Sequence, residues 1–207
     1  IREATTSKKK VVVVKGGPGT GKSVVAIQLT ARMTADRLLV QYVSKNSAPR
    51  NVYASKLSGS FKKSWVDNLF KGSGSYIDCR RGEFDALIVD EAHRLNEKSG
   101  MYSNLGENQI KEIIKAAKCS VFFIDEDQRV TIKDIGTRQE IEKWANKESA
   151  ELITLELESQ FRCNGSDGYL AWLDNFLGIR TTANTDLKDI NYDFQVIDDP
   201  NLLRDKI

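Results

Sequence analysis

The stretch Lys10–Ser23, KVVVVKGGPGTGKS, restricts the fold more than any other part of the chain. Four consecutive valines between lysines are too short a run for a helix and suit a buried β-strand. Gly16-Gly17-Pro18 stops that strand, and from Lys22 to about Ala35 the pattern turns helical, with Val25, Ile27, Leu29 and Met33 among its apolar positions. Between strand and helix, Gly16–Ser23 fits G-x-x-x-x-G-K-[ST]. Gly16, Gly17, Pro18, Gly19, Thr20 and Gly21 then form a loop whose glycines let successive N–H groups turn inward at phosphate oxygens. The helix adds its positive N-terminal end, Lys22 reaches the β- and γ-phosphates, and the Ser23 hydroxyl suits Mg2+. ATP and Mg2+ are therefore the expected cofactors.

The rest of the chain alternates strand-like and helix-like segments, which predicts an α/β parallel sheet. Strands are expected at Arg37–Val43, Asp85–Asp90, Ser120–Asp125 and Glu151–Leu157. Helices are expected at Glu107–Lys118, with Ile110, Ile113, Ile114 and Ala117 on one face, and at Thr137–Lys147. After Ser159 the texture changes. A helix is predicted from Ser166 or Asp167 to just before Gly178, then a strand over Tyr192–Asp198 and a last helix from Pro200 that the chain end cuts off. Gly72-Ser73-Gly74-Ser75 reads as a surface loop.

Two of the strands end in acids. ALIVDEAH delivers Asp90 to a strand end, where it can hold Mg2+, and sets Glu91 beside it as a base for an attacking water. His93 either couples the nucleotide site to motion or satisfies a partner beside the sheet; without Cys or His at ligand spacing a metal role is not expected. VFFIDEDQRV repeats the design and adds Gln128. A strand adjacent to the Asp90 strand places that amide near the γ-phosphate.

The order of these blocks, followed by LELESQFRCN at Leu155–Asn164, resembles that of superfamily 1 DNA/RNA helicases. More closely, QFRCNGSDGYLAWLDNFLG and VSKNSAPRNVYASKL look like the bacterial Schlafen-type DNA/RNA helicase-domain family. The resemblance covers nearly the whole chain, although Ile124 stands where the superfamily usually has glycine. It implies a RecA-like P-loop NTPase sheet with helices on both faces over residues 1–158, and the truncated start of a second lobe over residues 159–207. By the same resemblance Gln128 is the motif III sensor and Arg162 contacts the γ-phosphate from the second lobe. Ser44–Pro49 matches the motif that touches a nucleic-acid backbone, with Ser44, Lys45, Asn46 and Arg50 as candidate contacts.

Charge supports that reading. The net charge is only +2, yet Gln41–Gly82 holds eight basic residues against Asp67 and Asp78. Tyr53, Phe61, Trp65, Phe70 and Tyr76 interleave with the lysines, as bases on a stacking platform would require. A solvated lysine face over core aromatics accounts for the same pattern. Cys79, Cys119 and Cys163 are widely spaced and odd in number, which fits a reducing cytoplasm rather than a disulfide scaffold, and the resemblance implies a bacterial one. No apolar stretch is long enough for a membrane span. Ile1 in place of a methionine suggests a piece of a longer chain, in which the resemblance implies that the remaining helicase motifs would follow Ile207 and which leaves room for further domains.

The leading expectation is an ATPase that drives a helicase or translocase along single-stranded DNA or RNA. Three alternatives stay open: a P-loop ATPase switch on a protein partner, a nucleotide-binding segment without turnover, and, less well matched, a nucleotide kinase.

Overall fold

The computed structural model describes residues 8–100, 104–158, 167–179, 181–183, 185–186 and 195–206. The chain divides into two units, Ile1–Phe161 and Arg162–Ile207.

The first unit is built on strands β1 (Lys10–Gly16), β2 (Val40–Ser44), β3 (Phe70–Lys71), β4 (Phe84–Asp90), β5 (Ala117–Ile124) and β6 (Glu151–Leu157). They form one sheet in the order β3-β2-β4-β5-β1-β6, every pair parallel. This is an α/β RecA-like fold. Alternation along β1 shows how the sheet is covered: Val11 and Val13 enter one core, Val12 and Val14 the other. The first core is closed by α4 (Gln109–Ala116) and α5 (Arg138–Lys147), through Ile110, Ile113, Ile114, Ile141 and Ala145. The second is closed by α1 (Lys22–Ala35), α2 (Ser47–Leu57) and α3 (Lys63–Leu69), through Ala26, Met33, Tyr53, Ala54 and Val66. Helices therefore cover both faces. Each fully buried isoleucine contributes about 1.5–3 kcal/mol, so the α4 face is a large share of what holds that layer.

Local chemistry sets several boundaries. The Asn108 side chain accepts from the N–H groups of Ile110 and Lys111 and starts α4; Thr137 accepts from Glu140 N–H and starts α5. The helix expected over Glu107–Lys118 stops at Ala116, and β5 begins at the next residue. β2 begins three residues later than expected, because Arg37 takes a left-handed φ of 60° that no strand continues through. α2 and α3 carry no sequence expectation. α2 has no fully buried residue, and Tyr53, Ala54 and Leu57 pack only partly, so its periodicity is faint.

Gly72–Ser75 lies at the surface as expected only in part. Ser73–Tyr76 forms a 3-10 turn in which Ser73 and Tyr76 are buried, and a Cβ on Gly74 would lie 2.9 Å from Ser99 Oγ. Ser73 packs inward, while Gly74 and Ser75 stay at the surface, Gly74 with its backbone close to Ser99.

In the second unit, α6 (Asp167–Phe176) places Trp172 between the rings of Tyr169 and Phe176, 6.0 and 5.1 Å away. Gly178 follows in a left-handed conformation, φ 68°. The Thr182 hydroxyl donates to Ala171 O at 2.6 Å. α7 spans Pro200–Lys206, as expected from Pro200. Of the strand expected over Tyr192–Asp198, residues 192–194 lie outside the described residues, and Gln195–Asp198 is not a strand.

Candidate functional site

All six strands point the same way, so the ends of β1, β4 and β5 open on one edge of the sheet, the edge where ligands of open α/β folds sit. β5 lies between β1 and β4. The loop after β1 is held tight by glycine. A Cβ on Gly16 would lie 2.5 Å from Thr20 Oγ1, and Gly19 and Gly21 have φ of 78° and 84°. Thr20 Oγ1 donates to Gly17 O at 2.9 Å and closes the turn. Gly21 begins α1 without any side-chain cap, leaving the first N–H groups of the helix for an anion. Lys22 is buried at the loop's base, and its amine donates to Gly16 O at 2.7 Å and Gly17 O at 2.8 Å. Asp125 Oδ2 lies 3.5 Å from the same amine as an ion pair.

Asp90, at the end of β4, is 1% exposed. Its Oδ2 accepts from Tyr42 Oη at 2.6 Å and its Oδ1 from Glu91 N–H at 3.0 Å. Burial, reinforced by Asp90, pushes the Tyr42 phenol far above its ordinary range, so it stays a donor. Mg2+ is a hard cation that takes oxygen ligands. The donor set fits it: the Asp90 carboxylate keeps unused lone pairs, Ser23 offers a hydroxyl, and Ser44 is Asp90's register partner on β2 with a buried Oγ that has no hydrogen-bond partner.

Glu91 turns the chain out of the strand in a left-handed conformation, φ 52° and ψ 41°, uncommon for a residue with a side chain. His93, 1% exposed, explains how it is held. Its Nδ1 accepts from Asp125 N–H at 3.1 Å, so a neutral ring carries its proton on Nε2, which stands 3.2 Å from Glu91 Oε2. The His93 contact outweighs burial and holds the Glu91 carboxyl below its ordinary range. Asp125 behaves oppositely: burial raises its carboxyl, and Lys22 offsets only part of that. His93 thus has partners on both sides, the Asp125 N–H and the Glu91 carboxylate, and that set ties β4 to β5.

Gln128 closes a 3-10 turn, Glu126–Gln128, that Asp125 caps through its side chain on Asp127 N–H. The Gln128 amide takes no partner among the described residues and is half-buried at the same edge. Arg162 lies outside the described residues.

The candidate nucleic-acid residues are drawn inward. Ser44 is fully buried; the Lys45 amine donates to Asn96 Oδ1 at 2.9 Å and Asp134 Oδ1 at 3.2 Å. Asn46 precedes the first residue of α2, and its carbonyl accepts from Arg50 Nε at 3.2 Å; the Arg50 guanidinium packs over Gly72. Asp134 also accepts from the N–H groups of Val130 and Thr131 and pairs with Arg94 at 3.0 Å. Burial pushes the Asp134 carboxyl up, but those N–H groups and Lys45 win and hold it at about 2, below its ordinary 3.8. A carboxylate depressed on folding stabilises the fold above its unfolded pKa and loses that contribution as pH falls through the folded value. The stability gap between the parent and Asp134→Asn should thus be constant at neutral pH. It should close between about pH 4 and about pH 2 in denaturant titrations; a gap that persists at the lowest pH would contradict the network.

Asp125, Asp134, Tyr42 and Gly136 carry no site expectation from sequence. Gly136 approaches the turn after Asp90 so closely that a Cβ would lie 1.8 Å from Ala92 O and 2.6 Å from His93 Cα. The only local signals were the doubled acids of DEDQ and a lone Asp-Ile-Gly. Among the described residues no helix is long and apolar enough to cross a membrane.

The parallel sheet, with a glycine loop after β1 and buried acids at the ends of β4 and β5, defines a RecA-like α/β core of the nucleotide-binding, helicase-like class. The model of the Schlafen group 3, DNA/RNA helicase domain matches residues 9–207, and the chain belongs to that family. No curated protein matches it by sequence. Among solved structures, AMPPCP-bound DnaA from Aquifex aeolicus is similar at 14% identity and a TM-score of 0.33. The alignment covers 92% of this chain and 48% of that one, so the chain spans about half of its length.

Proposed function

We propose that the chain is the ATP-binding and hydrolysing core of a superfamily 1-like DNA/RNA helicase or translocase, with residues 1–158 as the first lobe and 159–207 as the start of a second. The convergence of Lys22, Asp90, Glu91 and Asp125–Gln128 at one sheet edge carries the reading. Gly16–Gly21 and the uncapped start of α1 hold the phosphates, and Lys22 reaches the β/γ oxygens. Ser23 and Asp90 hold Mg2+, with Tyr42 fixing the Asp90 rotamer. Bound there, the ion would supply positive charge to the phosphate oxygens. Glu91, ionised and oriented by His93, takes the proton of the attacking water, while Gln128 contacts the γ-phosphate or that water. Arg162 adds positive charge from the second lobe.

For nucleic acid, the surface that remains open differs from the one the motif order indicates. Phe70 and Tyr76 are buried, and Tyr53 stacks on Phe70 in a cluster with Tyr42. Phe61 and Trp65 are instead exposed, stacked on each other at 4.8 Å and flanked by Lys62 and Lys63. A base stacked there contributes about 1–3 kcal/mol. Phe61→Ala with Trp65→Ala should weaken single-strand affinity about tenfold or more, measured by fluorescence anisotropy; unchanged affinity removes this surface from the binding path.

A second reading, an ATPase switch on a protein partner, is favoured by the inward pairing of Ser44, Lys45 and Arg50. ATP turnover with and without single-stranded DNA or RNA separates the two. A translocase is stimulated by the strand; a switch of the second kind is indifferent to it.

A further inference from the structure

Asp125 belongs to no part of the ATP chemistry assigned above, yet it touches three of its members. An ammonium has three protons to donate. On Lys22 two go to Gly16 O and Gly17 O, and the third side of the amine faces Asp125 Oδ2. Asp125 Oδ2 is itself buried and accepts no hydrogen bond, and Lys22 is the cation paired with it. The other groups of Asp125 are engaged. Its N–H serves His93 Nδ1, its Oδ1 serves Asp127 N–H, and its carbonyl accepts Gln128 N–H at 3.1 Å.

We propose that Asp125 is a latch: it competes with the terminal phosphate for Lys22, and its release when the phosphate takes the amine repositions Glu91 and Gln128. The proposal rests on Lys22 being the phosphate-binding lysine. When a phosphate takes the amine, the carboxylate left behind is buried and uncompensated, a state that costs several kcal/mol unless the group moves. Asp125 cannot move alone. Its N–H carries His93, and with it the clamp on Glu91; its side chain and carbonyl carry the turn that bears Gln128. One displacement at Lys22 is thereby felt at both groups that face the γ-phosphate, over a path of four residues. Asp125 is a positioning residue, since it acts through Lys22, His93 and the turn.

The latch makes a prediction whose sign a merely structural role does not share. Asp125→Asn keeps the shape and removes the charge that competes for Lys22. ATP affinity of the full-length protein, measured by calorimetry, should rise about tenfold, while kcat falls. A structural residue would lose both together. Affinity that is unchanged or weaker, in a variant that melts like the parent, overturns the proposal.

Thermal unfolding without nucleotide tests the pair separately. Lys22→Met strips the buried carboxylate of its cation and lowers the melting temperature, and adding Asp125→Asn in that background recovers part of the loss. Additive effects of the two substitutions would show that the pair is not coupled and would equally overturn the latch. If the parent binds no ATP while this coupling is present, the ATP reading falls and the Lys22–Asp125 pair stands.

Discussion

Glu91→Gln should abolish ATP turnover while leaving ATP binding intact. The expected loss in kcat is on the order of 100-fold to 10,000-fold, the range a positioned general base supplies. Three observations set that expectation. Glu91 follows the buried Asp90 directly, its left-handed backbone turns its carboxylate out of the strand, and His93 Nε2 faces that carboxylate at 3.2 Å. The glutamine amide is nearly isosteric and leaves the Lys22 loop and the Asp90 oxygens in place, so affinity for ATP should change little. The measurement is steady-state hydrolysis by the full-length protein beside equilibrium binding of ATP. Turnover that survives in the variant would mean that another group activates the water, and the assignment of Glu91 would fail. His93→Ala provides a graded companion, since it removes the clamp and keeps the carboxylate.

The second large effect is expected at Gly136→Ala. A Cβ there would lie 1.8 Å from Ala92 O and 2.6 Å from the Ala92 carbonyl carbon. Those are backbone atoms of the turn that carries Glu91 and His93, so no side-chain rotation relieves the overlap. Overpacking costs about 1–3 kcal/mol in ordinary cores and more where backbone must shift. A loss of about 3 kcal/mol or more corresponds to a fall in melting temperature of roughly 10 °C for a domain of this size. Hydrolysis should fall as well, because the segment displaced is the one that aims Glu91. Gly17→Ala is the contrast, since its Cβ would meet nothing within 4 Å; it should melt with the parent. Equal stability of the two alanine variants would mean that the Gly136 contact is not as close as described.

Much of the fold was legible because it is written locally. The valines of β1, the periodic isoleucines of α4 and the alternation in β6 each signal their element within a dozen residues, and the chain adopts all three. The helix after the glycine loop begins and ends where its pattern does, at Lys22 and Ala35. α2 and α3 were not legible. They lie at the sheet's edge with few buried side chains, so little apolar periodicity marks them. The basic, aromatic-rich composition of that segment suggested a stacking platform, but composition cannot tell Tyr76, 2% exposed, from Trp65, 39% exposed.

The site divides in the same way. Gly16–Ser23, Asp90, Glu91 and Gln128 are candidates that the sequence offers because each sits at or just after a strand end, and strand ends are visible in the hydrophobic pattern. What holds those groups in position could not. Lys22 meets Asp125, His93 meets the Asp125 N–H, and Ala92 meets Gly136, all across neighbouring elements of a parallel sheet. A parallel pair is joined by a long crossover, so residues at adjacent strand ends are distant in the chain, and nothing local records which strand is whose neighbour. The sequence by itself determined five of the sheet's six strands, all but the two-residue β3, with the glycine loop and the acids at the strand ends, since those follow from periodicity and backbone freedom. The tertiary structure alone decided that β5 inserts between β1 and β4. That insertion gives Lys22 a buried counter-ion and sets the Asp125 N–H on His93 Nδ1.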